Sequence, residues 1–118
     1  MVKNMIDKEE IKSEIIEVLN RFCTDYNIPS VNISDDELNK FLKVMKKHFL
    51  DHGNMKEYIY AINVVIRRAP SFAIGQEEIN IGHIKRALND LHAYSIPVAE
   101  IEEMRCELSE VPFQKRKK

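Results

Sequence analysis

From residue 58 to residue 66 the chain reads YIYAINVVI, in which every residue except Asn63 is apolar or aromatic. This run lies inside residues 54–70, NMKEYIYAINVVIRRAP, a stretch that opens on a helix-capping pattern and closes on a proline. A helix that is apolar on nearly all sides has to be buried on nearly all sides. Other helices must surround it, and that demand organises the rest of the chain.

The flanking segments can supply the cover. Over residues 8–26, Ile11, Ile15, Val18, Leu19, Phe22 and Tyr26 form one stripe at helical spacing, widened by Ile16 and Cys23. Lys12, Glu14, Glu17 and Arg21 fall largely outside it, as expected of a solvated back. Residues 27–32 read as a connector, because Pro29 disfavours helix at Ile28. Ser34 followed by Glu37 is a capping box, with Ile33 and Leu38 at the two positions of a hydrophobic staple. The helix it opens carries Leu38, Phe41, Leu42, Met45 and Phe49 on one face and ends near Gly53. Asn54 and Glu57 repeat the capping pattern, so the second and third helices meet through a very short turn and lie antiparallel.

Pro70 ends the third helix. Residues 71–81, SFAIGQEEINI, are too apolar for a linker. A short helical turn packed on the core is the main expectation, with a β bridge around residues 79–81 as the alternative. Ile81, Ile84, Leu88 and Leu91 make the seam of a fourth helix starting near Asn80 or Ile81. The pattern breaks at residues 93–96, and Pro97 suits the first turn of a fifth helix. That helix carries Val98, Ile101, Met104 and Leu108 and stops before Pro112. The sequence thus predicts an all-α fold: one domain over residues 1–113, built as a compact bundle of four to five helices around a buried central helix at about residues 55–69. A basic, flexible tail follows at residues 114–118.

Composition narrows the function classes. At 118 residues, 44% hydrophobic and 31% charged, the chain is globular and large enough for one core without metal or disulfide staples. Lys and Arg number 18 against 19 Asp and Glu, a net charge of −1, so no overall field draws it to nucleic acid or a membrane surface. Cys23 and Cys106 lack CxxC spacing and read as buried free thiols. The N-terminus, MVKNMIDKEE, has no apolar stretch of signal-peptide type, and no run reaches the roughly 20 residues of a membrane span. A cytoplasmic location is the expectation.

Several residue patterns could carry chemistry. His48 and His52 stand four apart on a predicted helix, a spacing that lets two imidazoles share a metal. The run His48-Phe49-Leu50-Asp51-His52 has the outline of the H-x-x-E-H metalloprotease motif, with the shorter Asp51 in place of Glu and no third ligand in the neighbouring sequence. Two ligands alone do not make a zinc site, and histidines in the last turn of a helix also serve its carbonyl dipoles. A phosphotransfer histidine at His48 is disfavoured by the carboxylate of Asp51.

Arg86 and His92 resemble the loose R-x(4–6)-H outline of HEPN ribonucleases, small helical domains that usually act as dimers. The resemblance covers one helix. It implies a cation stabilising the phosphorane and an imidazole moving protons. Six residues are about 600° of helical rotation, which sets the two side chains about 120° apart on a straight helix. The fourth and fifth helices have the outline of a helix-turn-helix, but Glu100, Glu102 and Glu103 on the second helix oppose phosphate. Lys115, Arg116, Lys117 and Lys118 form a basic cluster that could give weak, salt-sensitive contact with nucleic acid, but no aromatic residues for base stacking are interleaved with it and only Phe113 is near.

Phe72, Ile74 and Tyr94 lie outside or at the ends of the regular stripes. Exposed together, they would make an apolar patch of the kind that marks a protein interface; otherwise they close the ends of the bundle. The expected function is therefore a small non-enzymatic interaction or regulatory module whose partner is a protein or a second copy of itself. A nucleic-acid-associated factor using the basic tail together with Arg67 and Arg68 is the alternative, and a HEPN-like ribonuclease a further one. No cofactor is expected.

Overall fold

The computed structural model describes residues 8–51 and 53–109. Helix α1 spans Lys8–Tyr26, α2 Asp35–Met45, α3 Met55–Arg68, α4 Ile81–Ala87 and α5 Val98–Ser109. Helix α2 continues through a π turn, Lys46–Leu50, and 3-10 segments follow α3 and α4 at Ala69–Ala73 and Leu88–Tyr94. The result is the all-α bundle expected. Its centre is α3, which packs against α1, α2, α4, the π turn and both 3-10 segments, while α5 closes one side against α2 and the second 3-10 segment.

Local chemistry explains the helix boundaries. Ser34 Oγ accepts a hydrogen bond from the Glu37 N–H at 3.1 Å, and Glu37 Oε1 accepts one from the Ser34 N–H at 2.9 Å. Two donors that helix geometry leaves unpaired are thereby satisfied. Asn54 Oδ1 accepts from the Glu57 N–H at 2.8 Å, the outward half of the same motif. Helix α1 ends with Asn27 in the left-handed region, φ 59°, and the Ile28 N–H reaching the Cys23 carbonyl at 2.9 Å. This is a Schellman turn, and asparagine is the side chain other than glycine that suits it.

The region read as a short helical turn is both of the structures considered for it. A 3-10 segment at Ala69–Ala73 packs on the core, and Glu78–Asn80 forms a strand, β2. Its partner, β1 at Ser30–Asn32, lies in the stretch read as a plain connector. The two pair in parallel, Ser30 with Glu78, Val31 with Ile79 and Asn32 with Asn80. So short a sheet persists because Ile79 is fully buried and Glu78 holds the side-chain amides of Asn32 and Asn80.

The core joins every element. Leu19, Phe41, Met45, Val65, Ile84, Leu88, Leu91, Met104 and Leu108 are all at most 2% exposed. On α3, Tyr58, Ala61, Ile62, Val65 and Ile66 are buried, while Lys56, Tyr60, Asn63 and Arg67 form a strip open to solvent. Two further expectations are corrected by the packing. Lys12 is buried: its ammonium bonds Asp35 at 2.6 Å, Glu9 at 3.3 Å and Asn39 at 3.1 Å, tying α1 to the start of α2. Cys106 is exposed, whereas Cys23 is buried, and both are free thiols. No helix among the described residues is long and apolar enough to cross a membrane.

Candidate functional site

Two surface features gather chemistry. One is an apolar cleft between α3 and the segment that follows α4. Tyr60 lies on the open strip of α3 and Tyr94 ends the second 3-10 segment. Their rings meet edge to face, centroids 5.6 Å apart at 84°, a favoured aromatic geometry. Both stay about half exposed, 54% and 49%. The cleft they border has a volume of about 370 Å³ and is lined also by Phe49, Ala61, Leu91 and Ile96, with Glu57 and Ser95 supplying polar groups. Loss of water and the neighbouring Tyr94 phenol push the Tyr60 hydroxyl above its ordinary pKa.

A second Schellman turn builds one side of this cleft. Ser95 takes the left-handed conformation, φ 74°, and its N–H bonds the His92 carbonyl at 3.1 Å. The Ile96 N–H reaches the Leu91 carbonyl at 3.4 Å. Leu91 and Ile96 hold the two positions where such turns carry a hydrophobic pair, and both line the cleft. Backbone geometry and apolar surface are therefore produced by the same residues.

The other feature is a histidine–carboxylate cluster. The Asp51 N–H bonds the Lys46 carbonyl at 2.9 Å, five residues back, which makes the π turn. Within that turn Phe49 enters the core while the His48 imidazole lies against α5, its side chain 6% exposed. His48 Nδ1 is 3.0 Å from Glu100 Oε2, and Nε2 is 3.2 Å from Glu107 Oε1. Lys47 Nζ stands 2.5 Å from the other oxygen of Glu107. Burial alone would raise the Glu107 carboxyl, but Lys47 and His48 outweigh it and hold the group below the usual carboxylate range. An open cavity of about 440 Å³ adjoins the cluster, bordered by Pro97, Ala99 and Glu103 among others.

The other candidate residues are dispersed. Arg86 is exposed on α4 with its guanidinium 5.9 Å from the centroid of the half-buried Phe72 ring. His92 is exposed on the 3-10 segment beyond, so the helix changes type between the two residues of the Arg–His pattern. Ile74 is 56% exposed after the first 3-10 segment, and the ring partner of Tyr94 is Tyr60. Arg68 is engaged by Asp90 at 2.6 Å. His52, Lys115, Arg116, Lys117 and Lys118 lie outside the described residues.

Sequence reasoning missed Tyr60, Glu100 and Glu107 as site residues, although signals for them exist. Tyr60 shares a helical face with Lys56, Asn63 and Arg67, a polar strip within the apolar run. Glu100, Glu103 and Glu107 recur at helical spacing, which puts three carboxylates on one face. No family profile, curated protein or solved structure matches this chain.

Proposed function

We propose that this protein is a small non-enzymatic interaction module that seats part of another protein in the Tyr60–Tyr94 cleft. The observation that carries the reading is the pair of half-exposed, mutually oriented tyrosines over an apolar floor. Tyrosine offers large contact area at little cost in side-chain entropy, and it is enriched among residues that dominate binding energy. The occupant that fits is a partner segment bearing a large aliphatic or aromatic side chain next to Lys or Arg. The apolar side chain fills the cleft, and the cation meets Glu57 at its edge.

A random-peptide display library selected on the full chain tests this. Enriched peptides should share an apolar anchor beside a basic residue. Tyr60→Ala and Tyr94→Ala should each weaken the best peptide about 30-fold, corresponding to roughly 2 kcal/mol, the scale of a binding hot spot. Circular dichroism should be unchanged, because both side chains are half exposed. Failure to enrich any shared motif, or peptides that bind both variants as well as the parent, would overturn the proposal.

A further inference from the structure

The histidine–carboxylate cluster is not part of the cleft, and its geometry points to a site for a divalent transition-metal ion, zinc in the first place, held by His48, Glu103 and Glu107. One ligand atom from each of these residues lies within 4.8 Å of the others. Ligand atoms around a tetrahedral zinc, at about 2.0–2.2 Å from the metal, stand roughly 3.4 Å apart. The required closure is at most about 1.4 Å, which two glutamate side chains can supply by torsional changes. The imidazole is held far more tightly, being buried against α5.

The hydrogen-bond pattern of His48 is the second observation. Each ring nitrogen faces a carboxylate oxygen, Glu100 at Nδ1 and Glu107 at Nε2. A neutral imidazole has a single N–H and can donate to one of them. A second ring proton satisfies the remaining nitrogen–oxygen contact, as in an imidazolium between two carboxylates, and a metal ion bound to Nε2 and Glu107 Oε1 satisfies it equally. Glu100 then takes the Nδ1–H and fixes the ring, as outer carboxylates do for metal-bound histidines. Glu107 can keep Lys47 on Oε2 while offering Oε1 to the ion.

Chemistry selects the class of ion. Calcium and magnesium take oxygen donors, whereas an imidazole with two carboxylates suits zinc and its divalent neighbours. Three protein ligands leave a fourth position, and the open cavity beside His48 and Glu103 gives water access to it. The ion would join the π turn after α2 to α5, which otherwise meet here through side-chain hydrogen bonds and ion pairs.

The test is titration of the chelator-treated full chain with Co²⁺, a spectroscopic substitute for zinc, with Zn²⁺ competition. One equivalent of Co²⁺ should give visible d–d absorption that Zn²⁺ abolishes. Zn²⁺ should raise Tm where Mg²⁺ does not. Glu103→Gln, at an exposed position, should leave the metal-free Tm and circular dichroism unchanged and weaken Co²⁺ at least about tenfold. His48→Gln should weaken it likewise, and because Glu103→Gln is an independent probe, instability of the His48 variant does not decide the outcome. Absence of the absorption bands, or parental Co²⁺ affinity in Glu103→Gln, would overturn the assignment.

Discussion

His83 shows how one side chain can set a pH limit on this fold. It is buried at the third position of α4, where a capping box ordinarily carries Glu or Gln. Its Nδ1 accepts from the Asn80 N–H at 2.9 Å, which leaves Nε2–H to donate to Gln76 Oε1 at 3.0 Å. The first bond needs the neutral ring, because a protonated Nδ1 cannot accept from the Asn80 N–H. Burial, then the Arg86 charge, lower its pKa against the smaller opposing effect of Glu78. The unfolded chain takes up a proton near the usual value of about 6.5, while the folded chain resists it to lower pH. The stability contributed is therefore complete above about pH 6.5 and is lost as pH falls towards the folded pKa. His83→Gln keeps an acceptor for the Asn80 N–H and does not titrate. Thermal unfolding from pH 7.5 down to about 5 should show a smaller fall in Tm for this variant than for the parent; parallel curves would contradict the assignment. The sequence did not reveal this role, because a histidine stands where the capping pattern asks for Glu or Gln. Lys12 escaped for a related reason: periodicity places a lysine outside the stripe, and only the convergence of Glu9, Asp35 and Asn39 makes its burial tolerable.

Among the elements, helix starts were the most legible feature, because a cap is a local interaction written in consecutive residues. Ser34 with Glu37 forms the full capping box that their spacing implies, and Asn54 caps α3 through the Glu57 N–H. The β1–β2 pairing was hidden, since it joins residues 48 positions apart, and three-residue strands carry no period of their own. The π turn was hidden as well, because it is a change of hydrogen-bond register that no residue type marks. The turn between α2 and α3 depends on Gly53 for space rather than for dihedral freedom. A Cβ there would lie 2.6 Å from the Phe49 carbonyl oxygen, a backbone atom that cannot swing aside. Gly53→Ala should destabilise the protein by about 1–3 kcal/mol, the usual cost of overpacking, read as a lower midpoint in urea. An unchanged midpoint would mean that the turn yields without loss.

At the scale of the whole molecule, the apolar run from residue 58 to residue 66 does what its composition requires: α3 is central, and the other helices close around it. The departure from that logic is informative. Tyr60 is left half exposed in the most apolar stretch of the chain, and the bundle brings Tyr94 to meet it from a segment 34 positions further on. The cleft could not be read in advance because its two walls come together through the tertiary packing of the second 3-10 segment on α3. The carboxylates of α5 were legible as a charged face, but not as partners of His48, since that pairing arises only when α5 folds back on the π turn.

The most direct test of the central claim is an amide NMR titration of the ¹⁵N-labelled full chain with the best selected peptide. Chemical-shift changes should concentrate at Tyr60, Ala61, Leu91, Tyr94 and Ile96, and Tyr94→Ala should remove them at the same peptide concentration. Changes centred instead around Ile74 or along α5, undiminished by Tyr94→Ala, would contradict the assignment of the cleft as the interaction site.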